Sequence, residues 1–259
     1  MRRGKYRSHG RVRPAHNTVQ PTQTIGKPGP PREPLDGALI FWVAVGVAYV
    51  LHQVPLAFNL DYILAQFGTW AHELGHCSVA VLLGGQCDRL EVLPSTGGTA
   101  YLRHLGEPID RVAVYAAGIL APAFLGGTML IGARRFNQSR SALLALSALF
   151  LMTALLWSGD EFTLTLTVAG TVLFALAAFI PSAFVRSLLA QLVAIFLCLE
   201  AIADWSYAYV DTFDRGGEEL ISDTGLIARL VGGPQEFWAT LVCAISAAIL
   251  IISFFASRK

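Results

Sequence analysis

The stretch Trp70-Ala71-His72-Glu73-Leu74-Gly75-His76 lies inside a long apolar run rather than in a polar loop. Ionisable groups in a membrane-like segment are costly and are as a rule functional. Wound as a helix, His72 and His76 are four residues apart and share a face, so both imidazoles can reach one Zn²⁺. Glu73 is then placed to activate a metal-bound water. The competing interpretation is a pair of packing or interfacial histidines, and the carboxylate between them argues against it.

The surroundings of that stretch set the class of the whole chain. Hydrophobic residues make up 54% of the 259 residues and charged residues only 14%, with a mean hydropathy of +0.54. This is the composition of a polytopic membrane protein rather than of a soluble domain. The net charge of +1 hides an asymmetry. Residues 1–34 hold eight Lys or Arg against the single acid Glu33, and the rest is slightly acidic. No nucleic-acid surface is implied. Cys77, Cys87, Cys198 and Cys243 show no CxxC spacing, so they are expected to be small core residues, with neither a disulfide framework nor a thiolate metal site.

Outward from the motif the chain divides in two. Residues 1–36 are rich in Arg, Pro and Gly without apolar periodicity and read as a disordered basic N-terminal arm. Residues 37–257 read as one multi-span membrane domain. Spanning a hydrocarbon core of about 30 Å takes about 20 apolar residues. Segments 37–60, 62–85, 112–133, 141–159, 162–185, 187–210 and 237–257 meet that length, giving an all-α protein of about seven transmembrane helices. The segment 86–106 differs. Its β-branched, alternating Leu90-Glu91-Val92-Leu93 and Thr99-Ala100-Tyr101-Leu102 flank Pro94-Ser95-Thr96-Gly97-Gly98, which is turn chemistry. It reads as a small β-hairpin or re-entrant element directly after the HExxH helix. Weighting Lys and Arg by the positive-inside rule puts the arm, and with it the N-terminus, at the cytoplasmic face of a multi-pass membrane protein. Arginines after the third and fifth helices count against that orientation.

A catalytic zinc takes three protein ligands and keeps a fourth position for water. Asp204 is the expected third ligand, because a carboxylate inside an apolar helix is relieved of its burial cost by coordination. Its helix and the HExxH helix run in the same direction, at compatible depths. Glu200, one turn earlier, is an alternative ligand or a group that orients a ligating imidazole. Asp223 is a further candidate, although Ser222-Asp223 is most simply a helix N-cap. Gly118, Gly126 and Gly127 read as sites of close helix packing.

The HELGH segment in a hydrophobic helix, the following Gly84-Gly85 and Thr96-Gly97-Gly98-Thr99, and the helix from Ala117-Gly118 to Gly126-Gly127 together resemble the site-2 protease family of intramembrane zinc metallopeptidases. The order Asp204, Ser222-Asp223, Trp238 is similar to that of a bacterial site-2-protease-like branch, over roughly residues 38–257. The resemblance implies a Zn²⁺-dependent endopeptidase in the lipid bilayer whose substrate is a transmembrane protein. That substrate would be unwound and paired against the hairpin, with Glu73 as general base and acid. The chain departs from the family pattern in having no late LDG motif. Leu35-Asp36-Gly37 precedes HELGH, so Asp36 reads as the boundary of the first helix. Ala121-Pro122 also stands where the branch often continues with glycines, and no PDZ-sized insertion is present. The second reading is a non-proteolytic scaffold or chaperone that retains the fold and the metal. A metal transporter is disfavoured by the lack of an inverted repeat.

Overall fold

Residues 35–53, 60–134, 136–215 and 217–258 are described by a computed structural model of the chain. The basic arm, apart from Leu35 and Asp36, lies outside the described residues, as does the link between the first two helices. The elements run α1 (Leu35–Gln53), α2 (Leu60–Leu82), β1 (Gln86–Val92), β2 (Gly98–Arg103), α3 (Pro108–Ala133), α4 (Phe136–Leu156), α5 (Glu161–Ala178), α6 (Ala183–Ala208), β3 (Thr212–Arg215), β4 (Glu218–Ile221), α7 (Asp223–Val231) and α8 (Gln235–Ala256). Among the described residues, five helical segments are both long and apolar enough to cross a bilayer: α3, residues 138–156 of α4, α5, α6 and α8. The protein is an all-α polytopic integral membrane protein with small strand pairs. The expected count of seven is not reproduced, because α2 spends part of its length on polar site residues and α1 has only a short described apolar run.

Helix starts follow local chemistry. Asp160 accepts a hydrogen bond from the Thr163 amide at 3.0 Å and opens α5. Ser222 does the same for Gly225 at 3.1 Å and opens α7. Glu107 and Asp110 form a reciprocal capping box around Pro108 at the head of α3. The core behind α2 is aromatic. Trp70 stacks on Phe150 of α4 with ring centroids 3.7 Å apart, and its indole N–H donates to Thr153 Oγ1 at 3.1 Å. Phe67 and Phe174 close the same cluster. These contacts fix the rotation of α2 and so decide which way its opposite face looks. The outer surfaces of the spanning helices expose Phe124, Leu155, Leu176, Ile252 and Phe255, the side chains a lipid-facing belt requires.

The hairpin expected over 86–106 is present, with β1 and β2 antiparallel and a bulge between Cys87 and Arg89. It folds back along α2 rather than leaving the protein. Gln66 Nε2 donates to the Leu93 carbonyl at 3.1 Å, and Thr69 Oγ1 donates to the Thr96 carbonyl at 2.9 Å. Thr96 at the tip adopts φ 67°, the left-handed region that such a tight turn demands. The far edge of β1 is covered by the α4–α5 connection, through Leu90 N to Trp157 O at 2.6 Å and Gly159 N to Leu90 O at 3.0 Å. β2 is therefore the strand on the other side of the pair.

One sequence expectation is corrected. Cys77 and Cys87 form a disulfide, with Cα atoms 5.1 Å apart. Neither a CxxC search nor helical periodicity finds such a pair, because it exists only once β1 turns back onto the last two turns of α2. The polar stretch 211–221 carries a second, shorter strand pair. Strands β3 and β4 pair antiparallel from Thr212–Ile221 to Arg215–Glu218, with Gly217 at φ +91° in the turn.

Candidate metal centre

α2 and α3 cross closely at the HExxH segment. A Cβ on Gly75 would meet the Ala117 carbonyl, and one on Gly118 would strike His76 and lie 2.6 Å from His72 Nε2. Gly118 is therefore the floor on which both imidazoles rest, a role that reaches beyond the helix packing expected of it. Nothing in the sequence distinguishes it from Gly126 or Gly127, since all three read as small residues on one helix.

The outer hydrogen bonds of the two rings assign their tautomers. His76 Nδ1 lies 2.8 Å from the Val114 carbonyl, which can only accept, so Nδ1 carries a hydrogen, and in the neutral ring Nε2 then keeps the lone pair. His72 Nδ1 lies 3.2 Å from Asp204 Oδ2 and is fixed the same way. Both Nε2 atoms then turn toward Asp223, at 3.0 Å from its Oδ2 for His72 and 3.4 Å from its Oδ1 for His76. His72, His76 and Asp223 each offer a ligand atom, all within 4.8 Å of one another and all buried. As neutral imidazoles and a carboxylate, the three are electron-pair donors that one shared cation can bring together. Two imidazoles and one carboxylate are a donor set suited to Zn²⁺, so the residues present fit that metal.

Asp223 reaches the centre because Ser222 caps α7 and leaves the next side chain at the head of the helix pointing into the bundle. Tyr207 supports the same group: its hydroxyl lies 3.5 Å from Asp223 Oδ2 and accepts from the Asp223 amide at 3.3 Å. Its ring meets that of His72 edge to face.

The sequence placed Asp204 third in the ligand set. The structure puts its carboxylate on Nδ1 of His72, the nitrogen that faces away from Asp223. Glu200 packs over Gly68 of α2, one turn before His72, and is not part of the three-residue cluster. The parallel course expected for α2 and α6 is seen in these two contacts, Gly68 with Glu200 and His72 with Asp204. Glu73 is buried, and a Cβ on Gly98 would come within 2.5 Å of its Oε1, so the first residue of β2 must be small for the carboxylate to sit there. A cavity of about 810 Å³ opens from His72, Glu73, His76 and Asp223 between the two hairpins, bordered by Ala100 and Leu102 of β2 and by Phe213 and Leu220 of β3–β4.

A buried His-His-Asp set with a carboxylate next in sequence, held within apolar helices, defines a membrane metallopeptidase centre. The sequence matches the Peptidase M50B-like family over residues 40–253. The chain belongs to that family, and so to the site-2 proteases. Comparison with curated proteins and with solved structures found no match.

Proposed function

We propose that the protein is an intramembrane zinc endopeptidase that cleaves a membrane-anchored protein, with His72, His76 and Asp223 as ligands and Glu73 as general base and acid. The observation that carries this reading is Glu73, buried and facing the same cavity as the three converging donors. When bound, Zn²⁺ supplies a Lewis acid and a water nucleophilic at neutral pH.

The chain's own groups do the rest. Glu73 takes the proton of the attacking water and returns it to the departing amine as the peptide bond breaks. The backbone of the substrate, unwound from its helix, lies beside β2 and adds to the sheet, because the other edge of the pair is already taken by the α4–α5 connection. The cavity between the hairpins has room for several extended residues, and its apolar walls at Leu102, Phe213 and Leu220 accept membrane-type side chains.

Glu73→Gln is the decisive variant. It keeps shape and leaves the three ligands in place, so zinc content is expected to stay at the wild-type level while cleavage falls by about 10²- to 10⁴-fold. Comparing membrane proteomes of cells carrying either form reads proteolysis and names the substrates together. Unchanged biological activity in Glu73→Gln would remove the protease reading and favour a scaffold that keeps the fold.

A further inference from the structure

We infer that Asp204 and Tyr207 form a positioning platform on one turn of α6 that aims the ligands His72 and Asp223, and that Asp204 does not itself coordinate the metal. The inference rests on the ligand set proposed above and concerns how that set is held. Asp204 and Tyr207 are three residues apart on a helix and so share a face. One meets the Nδ1 of His72 at 3.2 Å, and the other meets the carboxylate of Asp223 at 3.5 Å and its amide at 3.3 Å. A single helical turn thus touches two ligands that are 151 positions apart in sequence.

The chemistry of imidazole separates a ligand from a positioning group. The two ring nitrogens point in divergent directions, so a carboxylate accepting from Nδ1 stands on the far side of the ring from whatever binds Nε2. Asp204 is on the Nδ1 side, and Asp223 and His76 are on the Nε2 side. An acceptor at Nδ1 fixes the tautomer and the ring plane and makes Nε2 a better electron-pair donor. Exposure points the same way. The Asp204 side chain is 27% exposed, whereas that of Asp223 is 9% exposed. His76 has no carboxylate at its Nδ1 and uses the Val114 carbonyl on α3 instead. The turn of α6 is anchored from behind by Trp205, whose Nε1 donates to Ser246 Oγ of α8 at 3.3 Å.

The test is metal binding to the full-length purified protein, read without proteolysis. Zn²⁺ affinity is measured by chelator competition, and Co²⁺ is substituted to record its visible ligand-field spectrum. In Asp204→Ala the Zn²⁺ dissociation constant is expected to rise about 10- to 100-fold, while the Co²⁺ spectrum at saturation keeps its wild-type shape. Asp204→Asn, which retains an acceptor oxygen, recovers most of the lost affinity. Asp223→Ala changes the spectrum itself, because a ligand is gone. Tyr207→Phe weakens binding without changing the spectrum. A spectrum altered in Asp204→Ala as in Asp223→Ala would make Asp204 a ligand and overturn the inference. Wild-type affinity in Asp204→Ala would overturn it as well. If the alanine variant does not fold, as judged by thermal unfolding of the metal-free proteins, the asparagine variant decides by its Co²⁺ spectrum, a wild-type shape supporting the inference and an altered one overturning it. None of these outcomes depends on whether a substrate is cut, so failure of the protease reading would be seen separately in Glu73→Gln.

Discussion

Gly118 shows how a residue with no functional group can govern a candidate metal centre. Its α-carbon faces His76 and His72, and an added methyl would overlap the first and come within 2.6 Å of Nε2 of the second. Gly118→Ala should cost about 1–3 kcal/mol by overpacking. It should also displace both rings, so the purified variant is expected to fold but hold much less zinc than wild type by metal analysis. Wild-type zinc content in a folded Gly118→Ala would refute the floor role. At this scale the HExxH pair was legible because i and i+4 on a helix share a face whatever the tertiary structure does. The third member of the buried cluster was not. Burial inside an apolar helix favoured Asp204, yet Asp223, which reads as part of a helix N-cap, is buried by the packing of the nine-residue helix it opens. A carboxylate's depth there is set by its neighbours, which no local pattern reports.

The hairpin β1–β2 is a cantilever held at both ends to α2. Its tip is tied by Gln66 and Thr69, and its base by the disulfide between Cys77 and Cys87. The base tie sits one residue beyond His76, so it joins the strand pair that borders the cavity to the helix that carries the ligands. Breaking it enlarges the conformational freedom of the unfolded chain and of the hairpin itself. Cys87→Ala is expected to lower stability by about 2–3 kcal/mol, and to raise hydrogen exchange across residues 86–103 more than in α4 or α5. Peptide mapping without reductant should recover the Cys77 and Cys87 peptides as one species, and finding both thiols free would remove the premise. The hairpin was readable from the Pro94 to Gly98 turn and the alternation around it. The disulfide and the β3–β4 pair were not, since each depends on a chain reversal that brings distant or short segments together.

At the scale of the molecule, the apolar runs announced a helical membrane protein, and the packing then sorted them into two functional groups. α4 and α5 pack on the aromatic core behind Trp70 and hold β1 in place. α2, α3, α6 and α7 converge on the centre, joined through His72, His76, Val114, Asp204, Tyr207 and Asp223. A metal that binds this convergence and has no preformed site in the unfolded chain must stabilise the fold, by about 4 kcal/mol when free metal stands at 1,000 times the dissociation constant. Chelation should therefore lower the unfolding temperature of the wild-type protein and leave that of Asp223→Ala where it was, since the variant has little bound metal to lose. The loss should also be uneven. Amides of α7 and of the second half of α2 should exchange faster after chelation, while those of α4 and α5, which reach the centre only through the aromatic core, stay protected. Uniform loosening of all the helices would instead mean that the metal supports the whole bundle, and an unchanged unfolding temperature in the wild type would mean that the converging donors hold no metal at all.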